Sequence, residues 1–180
     1  MKCVALGNYA KITLGHNHSP MIVPGQSACI NGRYYAIADI RNNELDIVIQ
    51  CKYSQFFIDD IVIELPIGQG FTNLNSQSAV CIAAGTGLGA VISLVKYRYE
   101  KKLSTHIQIY GRNITKQLVA AAFPILNNVE FNVWNTTELG RPIIKSILPA
   151  DPEIPVFFAG PKGFLDEIKS VSDQKVFLNF

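Results

Sequence analysis

The sequence predicts an α+β chain of two lobes, in which a small antiparallel barrel or sandwich precedes an α/β domain with a parallel sheet. Short strand-like segments separated by turn residues fill the chain up to about residue 71. After residue 77, apolar strands alternate with helices, which is typical of a parallel sheet covered by helices. The polar segment FTNLNSQS lies between the two patterns, so we place the domains at 1–74 and 75–180.

The first lobe is predicted from five short segments that are rich in β-branched and aromatic residues. In chain order they read AKITL, SACI, RYYAIADI, ELDIVIQCKY and DDIVIELPI. Asn31 and Gly32 connect the second segment to the third, and both residue types tolerate the positive φ angles of a type I′ turn. We therefore expect a tight hairpin there.

The second lobe is predicted from a strand, AVCIAA, that is followed by the helix LGAVISLVKYRYEKK. The remaining segments are the strand HIQIYG, the helix TKQLVAAAF, the strands VEFNVW and PVFFAG, the helix KGFLDEIKSV and the strand KVFLNF. Strands in this arrangement pair in parallel, with the helices on the faces of the sheet.

The composition is that of a folded globular protein, with 48% hydrophobic residues, 17% charged residues and a formal net charge of +2. One basic cluster ends the first helix, and we expect a solvated helix face rather than a nucleic-acid surface. Its members are Lys96, Arg98, Lys101 and Lys102. No apolar run reaches the roughly 18 residues of a membrane span, and the apolar part of MKCVALGNYAKITLG is too short for a secretory signal. We expect a cytoplasmic protein.

Cysteine and histidine spacing gives no metal motif. The four cysteines have no paired spacing, which argues against zinc and iron–sulfur ligation, and we expect buried, reduced thiols at Cys3, Cys29, Cys51 and Cys81. His16 and His18 alternate in GHNHSP, but two ligands in a loop are too few for a metal site.

Residues 85–90, GTGLGA, connect the first strand of the second lobe to its helix and fit the pattern GxGxxG/A. In that pattern Gly85 makes the turn, Gly87 admits a phosphate and Ala90 lets the helix pack on the sheet. The helix N-terminus behind it would attract a pyrophosphate. An ordinary strand-to-helix corner has the same pattern, so both interpretations stay open. No Lys-Ser/Thr pair follows the glycines, which argues against a P-loop.

The strand HIQIYG is followed by Arg112 and Asn113. In NAD-binding proteins an acidic residue at this place binds the ribose hydroxyls. Arg112, with Lys116 close by, instead favours the 2′-phosphate of NADP. A solvated basic pair at a strand end is an equally good interpretation.

Six stretches follow the order found in one known family. They are PGQ (24–26), RYYAIA (33–38), PIGQGF (66–71), AAGTGLGAVIS (83–93), IYG (109–111) and FFAGPKGF (157–164). Together they extend over nearly the whole chain and resemble the ferredoxin–NADP reductase superfamily. The resemblance implies a flavin-binding barrel followed by a Rossmann-like NAD(P)-binding domain. It also implies hydride transfer from NADPH or NADH to FAD or FMN, with electrons passing on to an acceptor protein or small molecule.

The resemblance assigns RYYA to the flavin motif of the family, with Arg33 at the flavin phosphate and Tyr35 against the isoalloxazine ring or its ribityl chain. A guanidinium binds phosphate in a bidentate fork, and a phenol offers an aromatic face and a hydroxyl. The resemblance adds Ala36, Ile37 and Ser54 to the flavin site. Phe180 either stacks on the flavin or packs in the core.

In the second lobe the resemblance places Gly85, Thr86 and Gly87 under the nucleotide pyrophosphate. It places Gly160 and Pro161 beside the nicotinamide. The other residues that it assigns to NAD(P) are Leu88, Gly111, Arg112 and, on the adenine side, Phe164. No general acid or base is expected, because a flavin carries the hydride chemistry itself. The acidic pair Asp59–Asp60 is expected to be a solvated turn.

The chain departs from the family in a shortened flavin-phosphate region around Ser54, in the Gly89–Ala90 pair that replaces the usual proline after the glycine turn, and at two further positions. Ala36 replaces a serine or threonine, and Ala159 replaces a cysteine. These changes leave two alternatives open: a reductase-like domain without flavin or turnover that serves a larger complex, and an unrelated α/β nucleotide-binding protein.

Overall fold

The structure is a computed structural model that describes residues 1–17, 20–52 and 61–179. The predictions for His18, Ser54, Asp59–Asp60 and Phe180 concern residues outside these ranges. They stay predictions.

The first lobe is a six-stranded antiparallel sheet with the order β1-β2-β5-β4-β3-β6. The strands are β1 (Lys2–Leu6), β2 (Tyr9–Gly15), β3 (Ser27–Ile30), β4 (Arg33–Arg41), β5 (Glu44–Gln50) and β6 (Ile63–Ile67). The predicted barrel is therefore found as a barrel-like sheet that stays open, since β1 and β6 do not pair within the described ranges. Register shifts in β3 and β4 interrupt the ladders.

The hairpin between β3 and β4 is confirmed. Asn31 and Gly32 have φ angles of 49° and 74°, and Ile30 pairs with Arg33 across the turn. Sequence reasoning missed β1, an edge strand whose only buried residue is Leu6.

Side chains alternate between two environments along β4 and β5. Ile37 and Ile47 pack in the core of the first lobe. Ala38 and Val48 pack in a second core that contains α1 (Leu88–Glu100) of the other lobe. Successive side chains of a strand point to opposite faces. One face of this sheet therefore covers its own core, and the other packs against the second lobe.

The second lobe is a five-stranded parallel sheet with the order β11-β10-β7-β8-β9, as the sequence predicts. Its strands are β7 (Ser78–Ala84), β8 (Ser104–Gly111), β9 (Phe131–Asn135), β10 (Val156–Ala159) and β11 (Val176–Leu178). The helices are α1, α2 (Lys116–Ala122) and α3 (Lys162–Val171). From the central β7 the chain proceeds to β8 and β9, and then returns to the other side for β10 and β11. The strand order reverses between β7 and β10.

Arg98 corrects the expectation of a solvated basic face on α1, because its side chain is 0% exposed. Its guanidinium donates hydrogen bonds to the carbonyl oxygens of Leu74 (2.9 Å) and Ser104 (2.6 Å) and to the hydroxyls of Ser76 and Thr105. Leu74 and Ser76 belong to the segment between the two sheets. Arg98 therefore fastens this segment to the end of α1.

The cysteines also differ in part from expectation. Cys29 and Cys81 are buried, but Cys3 and Cys51 are exposed, so the expectation of buried thiols is wrong for two of the four. Within the described ranges, no three His, Cys, Asp or Glu side chains form a group that could hold a metal ion. No helix in that part of the chain has the length and apolar character needed to cross a membrane.

Candidate functional site

The reversal of strand order places two loops side by side at the carboxyl ends of β7 and β10. The first is the 3-10 turn Gly85–Gly87, and the second begins at Gly160 and Pro161. In open α/β sheets ligands bind in the crevice at such a reversal. The topology therefore selects this edge of the sheet as the place to look for a site.

A cleft of about 550 Å³ opens at this edge, and we call it the strand-end cleft. The glycine turn, the ends of β8 and β9, and the start of α3 surround it. The lining residues used below are Tyr9, Gln50, Gly85, Thr86, Tyr110, Gly111, Arg112, Thr136, Arg141, Gly160, Pro161, Phe164 and Glu167.

A second cleft of about 370 Å³ lies between the two lobes, and we call it the interlobe cleft. Tyr34, Tyr35 and Ala36 of β4 line it from the first lobe. From the second lobe it is lined by residues without large side chains, namely Thr86, Gly87, Ala159 and Gly160. Gln50 of β5 and Asn179 also reach it.

The two clefts are adjoining spaces. Gln50, Thr86 and Gly160 line both of them. A molecule in one cleft therefore lies against the same three residues as a molecule in the other. We call this shared wall the junction.

Close packing explains the glycine turn. Gly85 has φ +61°, which favours glycine. A Cβ on Gly87 would lie 2.0 Å from the carbonyl oxygen of Ala159, and a Cβ on Gly89 would lie 2.7 Å from that of Ala36. Gly87 thus lets the turn touch the end of β10, and Gly89 lets α1 touch β4. The glycine pattern positions both clefts through packing within the protein.

The N-terminus of α1 faces this region without a side-chain cap, and its first turn holds no acidic residue. Such a helix end carries partial positive charge from unpaired amides. Two rings form a wall nearby, because Phe164 packs against Tyr110 with 5.3 Å between centroids and both line the strand-end cleft. The buried ring of Phe158 stacks on Phe164 from behind at 5.6 Å. Burial raises the pKa of Tyr110, which therefore stays neutral.

Two arginines give the strand-end cleft its charge. The guanidinium of Arg112 has no hydrogen-bond or ion-pair partner within the described ranges. Arg141 pairs with Glu167 at 2.9 Å. Lys116 does not line the cleft, and its ammonium lies 4.7 Å from the ring centroid of Phe131. Arg112 is thus the cation left available to an anionic ligand.

Comparison with known proteins relates the chain to solved structures. No protein-family model and no curated protein matches it. A ferredoxin reductase of carbazole 1,9a-dioxygenase, in its FAD apo form, matches with a TM-score of 0.76 and 17% identity, over 98% of this chain and 64% of that one. The FAD/NAD-binding domain of a nitric oxide dioxygenase from Vibrio cholerae matches with a TM-score of 0.69 and 14% identity, over 98% of this chain and 94% of that one. The chain shares its fold with these reductase and FAD/NAD-binding domains.

The lengths of the matched proteins differ from that of this chain. An intact type IV self-sufficient cytochrome P450 monooxygenase matches with a TM-score of 0.78 and 14% identity, over 98% of this chain and 26% of that one. The chain therefore spans about a quarter of that protein and under two thirds of the carbazole dioxygenase reductase.

Most of the residues that the sequence analysis assigned to a nucleotide lie together at the strand-end cleft. Those that line the strand-end cleft are Gly85, Thr86, Gly111, Arg112, Gly160, Pro161 and Phe164. Gly87 lines the interlobe cleft instead. The side chain of Leu88 is 1% exposed in the core and does not reach either cleft.

Only some of the residues assigned to the flavin line a cleft. Tyr35 and Ala36 line the interlobe cleft. Ile37 is fully buried and packs in the core of the first lobe. Arg33 is exposed at the start of β4 and lines neither cleft.

Sequence reasoning missed several residues that line the two clefts. Tyr9 contacts the glycine turn and the end of β8, since Cβ atoms on Gly85 and Gly111 would lie 3.5 and 3.0 Å from its side chain. Gln50 and Tyr34 lay in recognised strands but had no assigned role. Thr136 directly follows β9. Because ligands of open α/β sheets bind at the carboxyl ends of the strands, this position could have been identified from the sequence.

Proposed function

We propose that the chain is a flavin-dependent NAD(P)H oxidoreductase module. In this proposal the pyridine nucleotide binds in the strand-end cleft and FAD or FMN binds in the interlobe cleft. Electrons then pass to an acceptor protein or small molecule. The observation that carries the proposal is the junction, where Gln50, Thr86 and Gly160 line both clefts. Hydride transfer needs the reacting atoms about 3–3.5 Å apart, so the two ligands must meet.

The residues of the interlobe cleft fit the ring of a flavin. Tyr34 and Tyr35 line the cleft from β4, and the side chain of Tyr35 also packs against the core of the first lobe. On the other side Gly87, Ala159 and Gly160 leave space for a planar group. Aromatic side chains pack well against such a ring. The bound flavin supplies the hydride and electron chemistry. For its phosphate, the resemblance alone supports Arg33.

The residues of the strand-end cleft fit a dinucleotide. The glycine turn and the uncapped N-terminus of α1 are suited to a pyrophosphate. The rings of Tyr110 and Phe164 supply an apolar wall for the adenosine part. Gly160 lies at the junction and therefore admits a nicotinamide from one cleft to the other. The role of these residues is to bind and orient the nucleotide.

A nucleotide-binding subunit without flavin turnover is the second candidate. Ala36 and Ala159, which both depart from the pattern of the family, line the interlobe cleft. Two methyl groups thus occupy the places of groups that could hydrogen-bond near a flavin or nicotinamide. This observation favours a cleft that has lost its redox function.

The test is the visible absorption spectrum of the purified chain, recorded without addition and after FAD or FMN. NADPH and then NADH follow under anaerobic conditions. We expect flavin bands that bleach on addition of the preferred nucleotide. A spectrum that neither flavin changes, combined with calorimetric binding of NADP⁺, would select the second candidate. Absence of binding by flavins and nucleotides alike would contradict both.

A further inference from the structure

Gln50 is the last residue of β5, and the register of the sheet pairs it with Tyr9 of β2. It lies two residues beyond Val48, which packs in the core shared with α1. Because side chains two apart on a strand lie on the same face, Gln50 belongs to the face that meets the second lobe. Its place at the junction follows from this register.

Few side chains at the junction can make hydrogen bonds. Gly160 has no side chain, and the neighbouring wall residues Ala36 and Ala159 end in methyl groups. Thr86 offers one hydroxyl, and Gln50 offers an amide. Neither side chain makes a hydrogen bond to any described residue. Both groups can donate and accept, but only the amide of Gln50 carries its donor and its acceptor on separate atoms, as a reciprocal pair with another primary amide requires.

We propose that the side-chain amide of Gln50 binds the carboxamide of the nicotinamide ring, a role that rests on the reductase function proposed above. Both groups are primary amides, and each has one carbonyl acceptor and an NH₂ donor. They can form a reciprocal pair of hydrogen bonds. The pair is neutral, so it suits the oxidised and the reduced nucleotide. Gln50 then positions the nicotinamide where Ala159 offers no polar contact.

The test compares two ligands and two side chains. Calorimetry measures the binding of NADP⁺ and of its 3-acetylpyridine analogue, which carries a methyl group in place of the amide NH₂. Both are titrated into the flavin-saturated wild type and Gln50→Leu. For each protein, the affinity for NADP⁺ is divided by the affinity for the analogue. The quotient of the wild-type ratio and the Gln50→Leu ratio isolates the contribution of Gln50. We expect this quotient to be about five, the effect of one neutral hydrogen bond.

Two further variants sharpen the test. Gln50→Glu keeps the acceptor that meets the amide NH₂ and should retain the wild-type discrimination. Gln117→Leu changes an exposed glutamine on α2 outside both clefts and serves as the matched control. Because Gln50 is exposed, we expect its substitution to leave the fold intact. The midpoint of thermal unfolding, measured for each variant, checks this expectation.

A third ligand, 2′,5′-ADP, lacks the nicotinamide and should bind all variants equally. A quotient of one would overturn the role of Gln50. So would an equal loss of affinity for 2′,5′-ADP, since that indicates a structural defect. If the wild type binds neither these three nucleotides nor NAD⁺, the inference and the reductase function fail together. Binding of 2′,5′-ADP with a quotient of one contradicts the inference alone.

Discussion

Arg112 lines the strand-end cleft and has no hydrogen-bond or ion-pair partner among the residues that the structure describes, so we expect it to bind the 2′-phosphate of NADP. A charge-assisted hydrogen bond to phosphate contributes about 2 kcal/mol, so Arg112→Ala should weaken binding of 2′,5′-ADP by roughly thirtyfold. Binding of NADH, which lacks this phosphate, should change little. Fluorescence titration measures both affinities.

Lys145→Ala is the control for Arg112, because it removes one positive charge from an exposed position outside both clefts. It should leave both affinities unchanged. Equal losses for the two ligands in Arg112→Ala would instead place the arginine at the adenosine 5′-phosphate, which both ligands contain.

Cys81 makes the stability of the protein depend on pH in the alkaline range. Burial raises the pKa of its thiol from 9.0 to about 12, although Arg98 acts in the opposite direction. The thiol of the unfolded chain loses its proton near pH 9, whereas the folded chain keeps it. The free energy of unfolding should therefore fall by about 1.4 kcal/mol per pH unit between pH 9 and 12.

The measurement is urea denaturation across this pH range for the wild type and Cys81→Ala. The free energy of unfolding of Cys81→Ala should fall less steeply with pH than that of the wild type. Part of the decrease should remain, because burial also raises the pKa of Tyr110. Val80→Ala removes buried volume from the same strand without a thiol. It should lower stability with the slope intact, and identical slopes in all three proteins would refute the assignment.

At the scale of the element, α1 owes its fixed C-terminal end to Arg98. The guanidinium satisfies the carbonyl oxygens of Leu74 and Ser104 in a region without access to water. Arg98→Met would leave these acceptors unpaired, so we expect a loss of about 3 kcal/mol in the free energy of unfolding. Equilibrium urea denaturation measures the loss.

Lys101→Met, on the exposed side of the same helix end, should change stability by no more than about 0.5 kcal/mol. Arg98→Lys should rescue little, since an ammonium lacks the planar fork that reaches several acceptors at once. Full stability in Arg98→Met would mean that the linking segment finds other donors.

Elements with local signals were predictable. The hairpin at Asn31 and Gly32 follows from backbone preferences of those two residues, and α1 follows from a helical run after the glycine turn. The edge strand β1 was not predictable, because it pairs on one side only and buries Leu6 alone. The burial of Arg98 was not predictable either, since its acceptors lie in other segments.

At the scale of the whole molecule, an ion pair between Lys96 and Asp39 joins the lobes. The ammonium of Lys96 on α1 lies 2.6 Å from a carboxylate oxygen of Asp39 on β4, and Arg41 lies 3.5 Å from the other oxygen. Both partners of the first pair are partly shielded from solvent. A double-mutant cycle with Lys96→Met and Asp39→Asn should give a coupling of about 1 kcal/mol in the free energy of unfolding.

Salt should weaken this coupling, because the pair is partly exposed. The pair Lys175–Glu153 provides the comparison, since it is 3.6 Å long and well exposed on both sides. Its cycle should give a coupling near zero. Equal couplings in the two cycles would mean that the ion pair between the lobes adds nothing beyond an ordinary surface contact.

The candidate site was predictable where it depends on the backbone. The glycine turn and the Gly160–Pro161 loop follow strands of a parallel sheet, so their meeting follows from topology. Gln50 and Tyr9 come from the other lobe, and their place depends on how one sheet packs against the next. That packing depends in turn on Gly89, whose missing side chain lets α1 approach Ala36. A local pattern contains no information on such a distant partner.

The junction has a thermodynamic consequence. Two ligands that share Gln50, Thr86 and Gly160 cannot bind independently, because each alters the surface that the other meets. Whatever factor the first ligand adds to the affinity of the second, the second must add to that of the first. Titrating the chain with the proposed flavin and nucleotide in either order should therefore give the same total free energy of binding, and the change in the affinity of one ligand caused by the other measures the linkage between the two clefts.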